Sequence, residues 1–270
     1  MKIEGSDSSD FIIEGPDNDT IDAKKGKDWI VAGPGDDYVK AGEDNDRVEC
    51  GPGHDIAYGG GGLDTLIGHD GADLLYSDGT YGPRVIPHSQ EGDDWLDGGP
   101  GKDILVAGDG ADTLIGGEDG DAFVFRYHDP MVGTTHWYTT VKDFEPEHDR
   151  FVMDAGGFGD RDLFGANFIN HSRGFPGEFV DTFYKGTAEG AHGEHVVVIT
   201  DRGFASGAAA ANAIDHEAAG DIIVYHDEET GGATLAYVDS ANHANAFAHA
   251  DNLEDMWDLN SLTAANFVFI

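Results

Sequence analysis

An aspartate recurs at every ninth residue through the first half of this 270-residue chain. Eight such aspartates follow one another at that spacing, and four more resume it after a single wider gap: Asp10, Asp19, Asp28, Asp37, Asp46, Asp55, Asp64, Asp73, Asp94, Asp103, Asp112 and Asp121. Two residues before eight of them stands a glycine: Gly26, Gly35, Gly53, Gly62, Gly71, Gly92, Gly101 and Gly110. Two residues after each aspartate stands an apolar residue: Ile12, Ile21, Ile30, Val39, Val48, Ala57, Leu66, Leu75, Leu96, Leu105, Leu114 and Phe123. A nonapeptide of the form Gly-Gly-x-Gly-x-Asp-x-apolar-x predicts a parallel β-roll that binds calcium in its turns.

Each nonapeptide contains six turn-forming residues followed by three that can form a short strand. In the repeat at 32–40, alternation along the strand directs Val39 inward and Tyr38 and Lys40 outward, so we expect one buried side chain per repeat. Two repeats make one coil. The coils must stack about 4.8 Å apart, because a single coil has almost no core of its own.

Stacking places the aspartates of every second repeat side by side, so that Asp37 faces Asp55 and Asp46 faces Asp64. These carboxylates repel one another unless they are cross-linked by calcium, which takes about six to eight carboxylate and carbonyl oxygens. The twelve aspartates and eight glycines are therefore the candidate calcium-binding residues. Six turns on each side leave five gaps, and we expect roughly eight to ten ions. Residues 1–124 contain 29 acids and 8 bases, which give a net charge of −21. The positive charge of that number of calcium ions would nearly cancel it.

The repeat pattern is interrupted in two ways. Twelve extra residues, 77–88, separate the eighth repeat from the ninth without changing the phase, and we expect an external loop there. Single substitutions replace the glycine at the second repeat position (Lys24, His69 and Gln90) and at the fourth (Asp17, Asp44 and Asp119). Aspartate tolerates a left-handed backbone conformation, so we expect the fourth-position substitutions to disturb the turn only slightly. Lys24 beside Lys25 places cations where an ion site requires oxygens, and we expect the weakest site at the third repeat.

From residue 125 onward the nine-residue phase ends. Apolar runs predict strands at 195–200, 221–227 and 234–239, with a hairpin loop at 228–232 between the last two. Helices are predicted at 206–218 and 253–259. We therefore expect a mostly β protein with two domains: a calcium-binding roll at 1–124 and a β-rich or α+β cap at 125–270.

Composition excludes several classes of protein. The 53 acidic residues against 15 basic ones argue against a nucleic-acid partner. No run approaches the roughly 18 apolar residues that span a bilayer, and the first residues lack the apolar core of a cleaved signal peptide. Cys50 is the single cysteine, so no intrachain disulfide can stabilise the fold.

The repeats at 5–124 resemble those of the repeats-in-toxin (RTX) family, which are calcium-dependent β-rolls on proteins exported by type I secretion. The run 116–125 resembles the family's exit from the roll, and 140–150 resembles the capping segment that follows. The last nine residues, Leu-Thr-Ala-Ala-Asn-Phe-Val-Phe-Ile, are similar to uncleaved C-terminal secretion signals. The resemblance implies a type I secretion apparatus as partner and an extracellular location. It also implies folding on calcium binding outside the cell, since sites of extracellular type are too weak to fill in the cytosol.

No catalytic motif stands out in the second half. The pair His192 and His195 lacks the four-residue helical spacing of a zinc protease, so we expect solvated or hydrogen-bonded histidines. Ser206 is one residue away from an esterase nucleophile motif, and helix capping is the simpler interpretation. No candidate catalytic residue follows from the sequence.

We therefore expect a secreted, non-catalytic calcium-binding protein. The repeats start at residue 5 and leave no room for an enzyme ahead of them. Two alternatives stay open. One is a polysaccharide-modifying enzyme, or its C-terminal module; the other is a calcium-dependent adhesin that binds cell-surface or extracellular polysaccharide.

Overall fold

The computed structural model describes residues 1–78, 92–126, 138–154, 180 and 182–270. They divide into two units, Met1–Val124 and Phe125–Ile270. The strands of each unit are described separately below.

The first unit consists of parallel strands that alternate between two sheets. One sheet contains β1 (Lys2–Glu4), β3 (Thr20–Asp22), β5 (Tyr38–Glu43), β7 (Ile56–Gly61), β9 (Leu74–Asp78), β11 (Ile104–Ala107) and β13 (Ala122–Phe125). The other contains β2 (Phe11–Ile13), β4 (Trp29–Val31), β6 (Arg47–Glu49), β8 (Thr65–Ile67), β10 (Trp95–Pro100) and β12 (Thr113–Glu118). Two repeats therefore make one coil, and the predicted parallel β-roll is confirmed.

The register of the strands follows the repeat. Equivalent residues pair at a spacing of 18, as Val39 does with Ala57, because one coil contains two nonapeptides. Across the insertion the spacing becomes 30, as between Leu66 and Leu96, and the phase is restored. All twelve predicted inward residues are buried.

The expectation of one buried side chain per repeat is wrong, because the inward alternation extends beyond the apolar position. Residues two apart along a strand share a face, so from the second repeat to the eleventh the aspartate, the apolar residue and the small residue that follows are all buried. Those small residues include Ala23, Ala32, Ala41, Cys50 and Ala107, none of which has exposed surface.

The insertion begins two residues later than predicted. Ser77 and Asp78 continue strand β9, and Asp78 pairs with Gly60, the second residue of the seventh repeat. Ser77 and Asp78 thus occupy the first two positions of the ninth turn. Residues 79–91 lie outside the described residues, so the predicted loop stays a prediction there.

In the second unit, six strands pair in the order β16-β17-β18-β19-β20-β14, and β15 and β21 form a parallel pair. These strands are β14 (Thr139–Val141), β15 (Arg150–Met153), β16 (Phe183–Gly186), β17 (Val196–Ile199), β18 (Ile222–His226), β19 (Ala233–Ser240), β20 (His243–Ala250) and β21 (Phe267–Phe269). The two α-helices are α1 (Gly207–Ala211) and α2 (Met256–Leu259), and 3-10 turns cover Ala188–Gly190 and Ala264–Asn266. Helix α1 packs on the sheet through Ala210 and Ala211, which share a buried cluster with Ile223 and Tyr225.

The predicted strands of the second unit are present as β17, β18 and β19. Strands β18 and β19 pair antiparallel, as the predicted hairpin requires. Strands β14, β15, β16, β20 and β21 were not predicted.

Both predicted helices are shorter than expected. Helix α1 ends at Ala211, because the Asn212 side chain donates a hydrogen bond to the Ala208 carbonyl and satisfies the last turn. Helix α2 begins only at Met256, because the Asp255 carboxylate caps its N-terminus by accepting the Asp258 N–H, while the Asp255 N–H donates to the Asp258 carboxylate. Among the described residues, no helix combines the length and apolar character needed to cross a membrane.

Candidate metal centre

The repeat aspartates form two columns, each with one aspartate per coil. The columns are Asp10, Asp28, Asp46, Asp64, Asp94 and Asp112, and Asp19, Asp37, Asp55, Asp73, Asp103 and Asp121. Within a column, the backbone N–H of each aspartate donates to Oδ1 of the aspartate in the next coil, at 2.7–3.0 Å. The structure therefore brings all twelve predicted aspartates into two rows of six.

The second carboxylate oxygen of most of these aspartates has no such donor. Eleven of the twelve side chains are buried, with at most 4% of their surface exposed; Asp10 is partly exposed. Within the described part of the chain, Oδ2 is buried and accepts no hydrogen bond in Asp28, Asp37, Asp46, Asp55, Asp64, Asp73, Asp94 and Asp103. A buried carboxylate oxygen without a partner is costly, so these rows require a further positive group.

Burial raises the pKa of these carboxyl groups because it penalises their charged form. The pKa of Asp46 rises to about 8. The pKa also rises, to about 7, in Asp55, Asp64, Asp73 and Asp103. In each of these five aspartates, the hydrogen bond from the backbone N–H of the aspartate in the previous coil lowers the pKa. Burial raises the pKa by more. A nearby cation would restore the charged form.

The turns stack so closely that the fourth repeat position has little room for a side chain. A Cβ added to Gly35 would lie 2.7 Å from the carbonyl oxygen of Asp17, and one added to Gly71 would overlap the carbonyl oxygen of Gly53. Seven of the eight predicted glycines also have φ between +112° and +156°: Gly26, Gly35, Gly53, Gly62, Gly71, Gly101 and Gly110. These glycines keep the turn narrow and its carbonyl groups close to the next coil.

The substituted positions keep the same backbone in most cases. Asp44 and Asp119 adopt positive φ in place of glycine, as predicted, and so do Lys24 and His69 at the second position. Asp17 does not adopt it, and Gln90 lies outside the described residues.

Two lysines of the third repeat form ion pairs with glutamates. The Lys25 ammonium pairs with Glu43 at 2.5 Å, and that of Lys24 lies 3.8 Å from Glu4. The Lys24 carbonyl oxygen still approaches Gly42 of the next coil as a glycine carbonyl would. The turn therefore keeps its backbone geometry at this position despite its three lysines, Lys24, Lys25 and Lys27.

The first turn is stabilised by a serine. The Asp10 carboxylate accepts hydrogen bonds from the Ser6 backbone N–H at 2.6 Å and from the Ser6 hydroxyl at 3.0 Å. Both oxygens of Asp10 lie within reach of that hydroxyl. This end of the column thus has a neutral partner for its carboxylate.

These residues fit calcium. Calcium is a hard cation that accepts carboxylate and carbonyl oxygens in flexible geometry, and each turn offers a buried aspartate beside closely stacked backbone carbonyls. Within the described ranges, no group of three or more His, Cys, Asp or Glu side chains is arranged to hold a metal.

Sequence reasoning missed two features of the site. The prediction that stacked carboxylates simply face one another overlooked the amide that donates to Oδ1 in every pair. It also overlooked the small residue five positions before the aspartate: a Cβ on Gly59 would lie 2.6 Å from Oδ2 of Asp64. The persistence of glycine, alanine and cysteine at that position was the available signal.

The polar residues considered for catalysis have structural partners. Ser206 caps helix α1 by accepting a hydrogen bond from the Ala209 N–H at 3.2 Å, as predicted. The backbone N–H of His195 donates to Thr182 Oγ1 at 2.8 Å, and its ring stacks on Phe269. His192 lies near His216, with ring centroids 6.4 Å apart.

Comparison with known proteins gives one family and two relatives. The family described as RTX calcium-binding nonapeptide repeat (4 copies) matches residues 15–48, 51–79 and 88–122. Nodulation protein O of Rhizobium leguminosarum bv. viciae is 78% identical over 195 residues, which cover 69% of each chain. The solution structure of the AlgE6R3 subunit from the Azotobacter vinelandii mannuronan C5-epimerase is 18% identical, with a TM-score of 0.33, and the match covers 84% of this chain and 78% of that one. Since 195 residues exceed the length of the first unit, the likeness to nodulation protein O continues into the second.

Proposed function

Because the chain belongs to the family of RTX calcium-binding nonapeptide-repeat proteins, we propose that it is a secreted, extracellular protein whose roll folds when calcium fills its turns. The first unit is the calcium-binding domain, and the second is a cap that carries the secretion signal. Neither unit acts as an enzyme in this proposal.

The observation that carries the proposal is the row of buried aspartate oxygens without donors. Eight of these carboxylates have an Oδ2 that no described group satisfies. Without a cation, the folded roll must bury either unpaired charges or protonated acids, and both oppose folding near neutral pH. Calcium removes that cost and links adjacent coils. Folding and ion binding are then one process.

The two columns support a count of roughly eight to ten ions. Six aspartates in each column leave five gaps, which sets the upper limit. The first gap of the Asp10 column is the weakest, because Ser6 already satisfies Asp10.

Export before folding fits the position of the C-terminal tail. Phe267, Val268 and Phe269 are buried and form strand β21 against β15. A type I secretion apparatus could read this tail only in an unfolded chain. Scarce cytosolic calcium would keep the chain unfolded until it leaves the cell.

A second candidate function is calcium-dependent binding of extracellular polysaccharide. The sheet that contains β2, β4 and β10 exposes Phe11 at 62%, Trp29 at 47% and Trp95 at 41%. Exposed aromatic rings can stack on sugars. Incubation of the calcium-loaded protein with acidic polysaccharides distinguishes an adhesin from an enzyme. Saturable binding without turnover supports an adhesin, and turnover supports an enzyme.

Far-UV circular dichroism of the full chain tests the main proposal. At pH 7.5 with chelator we expect an unfolded spectrum, and with millimolar calcium a β spectrum. Magnesium at the same concentration serves as the control, because its strict octahedral geometry suits these turns poorly. A β spectrum that is unchanged by removing calcium would overturn the proposal.

A further inference from the structure

The ninth turn differs from its neighbours because a carboxylate occupies its second position. Asp78 pairs with Gly60 in the seventh repeat. In the coils before and after it, the corresponding residues are Gly60 and Gly108. The second position is normally the narrowest part of the turn: a Cβ on Gly33 would lie 2.7 Å from the Gly15 carbonyl oxygen.

The Asp78 side chain is directed toward the eleventh turn. Its Oδ2 accepts a hydrogen bond from the Asp109 N–H at 3.1 Å. The neighbouring Gly108 N–H donates to Ser77 Oγ at 2.9 Å. A Cβ on Gly108 would overlap Asp78 Oδ2. The carboxylate therefore lies between the ninth and eleventh turns.

The same pair of turns holds a deeply buried aspartate with an unsatisfied oxygen. Asp94 has 3% of its surface exposed, and its Oδ2 accepts no hydrogen bond from any described residue. Its Oδ1 accepts the Asp64 N–H, and its own N–H donates to Asp112. The Asp78 carboxylate lies between the same two turns. Asp78 thus adds negative charge where an ion between these turns would lie.

We propose that Asp78 is an additional calcium-binding side chain, and that the gap it enters between the ninth and eleventh turns is the tightest site of the roll, the first to fill. This inference rests on the proposed function, since it assumes that calcium occupies the turns. Calcium affinity rises with the number of charged ligands. Every other turn in these columns supplies its aspartate without this extra carboxylate at the second position.

A tightest site at the ninth turn gives the roll a place to start folding. In a repeat structure each coil contacts only its neighbours, so folding propagates from whichever coil forms first. The first ion would order the ninth and eleventh turns together. The remaining ions would then bind to coils that are already aligned.

Calorimetric calcium titration of the full chain tests this inference with two charge-matched variants. Asp78→Asn removes the charge but keeps an oxygen that can accept the Asp109 N–H. Asp70→Asn makes the same charge change at an exposed residue of the eighth turn. We expect the tightest class of site to weaken about tenfold or more in the Asp78 variant and to stay as in the parent chain in the Asp70 variant.

A second variant and a double-mutant cycle exclude a general folding defect. Asp78→Gly restores the glycine of the repeat, and we expect it to reach the full β spectrum at saturating calcium while it loses the tightest class. Losses from Asp78→Asn and Asp94→Asn should be non-additive, because both act on one ion. An unchanged tightest class in both Asp78 variants would overturn the inference alone. Failure of the parent chain to bind calcium would overturn the proposed function as well.

Discussion

Each repeat aspartate uses its two carboxylate oxygens for different partners. In Asp55, Oδ1 accepts the Asp37 N–H at 2.7 Å, and Oδ2 is buried without a donor among the described residues. The first contact aligns neighbouring coils, and its donor is an uncharged amide. In the proposed function the second oxygen binds calcium, so the residue is both a structural link and a ligand.

The fourth-position glycine is equally constrained, and this can be tested at Gly71. Gly71 has φ +156°, and an added Cβ would overlap the Gly53 carbonyl oxygen. We expect Gly71→Ala to destabilise the calcium-loaded protein by about 1–3 kcal/mol, the usual cost of a strained backbone conformation. Urea unfolding at saturating calcium measures the change.

Gly15→Ala is the matched control. An added Cβ at Gly15 meets no atom within 4 Å, so its effect should stay within about 0.5 kcal/mol. Equal losses in the two variants would show that close stacking of the turns is not what selects glycine.

At the scale of elements, the unit of the first half is a turn followed by a short strand. The position of each unit in the roll follows from its residue numbers. Paired residues are 18 apart in sequence within the regular repeats and 30 apart across the insertion. Ser77 and Asp78 supply the first two positions of the ninth turn. Residues 79–90 are then the extra segment.

Deletion of residues 79–90 should leave the roll intact. Joining Asp78 to Glu91 yields a nonapeptide with every residue in phase. We expect a calcium-induced β spectrum like that of the parent chain, measured by circular dichroism. Deletion of residues 79–89, one fewer, is the control. It shifts the later strands by one residue, which moves inward side chains outward, so the shifted variant should lose β structure and stability.

The fold of the first half could be predicted because the period itself carries the register. The nine-residue spacing identifies the inward positions, and Ile12 to Phe123 are all buried as expected. The three-fold burial per repeat was missed, because the strand was taken to end at the ninth position. Strand β5 instead runs from Tyr38 to Glu43, past the start of the next repeat.

The second half was less predictable, because several of its strands depend on their neighbours. Strands β17 and β18 are runs of valine and isoleucine and were recognised. Strand β20 has the sequence His-Ala-Asn-Ala-Phe-Ala-His-Ala, which has no β-branched residue. Its strand conformation comes from pairing with β19. Three-residue strands such as β14 and β21 are likewise set by tertiary pairing.

The candidate site was predictable in its residues but not in its hydrogen bonds. Spacing alone placed the aspartates in two rows. The contact from each backbone amide to the next Oδ1 depends on the exact stacking of coils, as at Asp46 and Asp64. The sequence does not indicate the proposed role of Asp78, because that residue falls within the predicted inserted loop, 77–88.

For the whole molecule, the dominant quantity is negative charge held close together. The chain has a formal net charge of −38, and the first unit buries carboxylates that repel one another. Counter-ions or protons must neutralise these groups before the roll can close. Protons should therefore replace calcium ions in part.

We expect the calcium-free protein to gain β structure as the pH is lowered from 8 to 5. The folded-state pKa is about 8 for Asp46 and about 7 for Asp55, Asp64, Asp73 and Asp103, against 3.8 for an ordinary aspartate. Because these pKa values are raised, their contribution to stability is fully present below pH 3.8 and is lost as the pH rises through 7 to 8. Circular dichroism after removal of calcium measures the gain, above the sequence pI of about 4.2.

Calcium affinity should change in the opposite sense, because protons compete with the ion for the same oxygens. A calcium-free spectrum that is equally unfolded at pH 5 and pH 8 would show that burial of these carboxylates does not govern folding.

The stoichiometry of calcium binding, determined by isothermal titration calorimetry of the full chain at pH 7.5, tests the central claim most directly. If the two aspartate columns are rows of shared calcium ligands, roughly eight to ten ions bind per chain. A value below about five ions per chain would contradict the assignment of these columns as the metal centre.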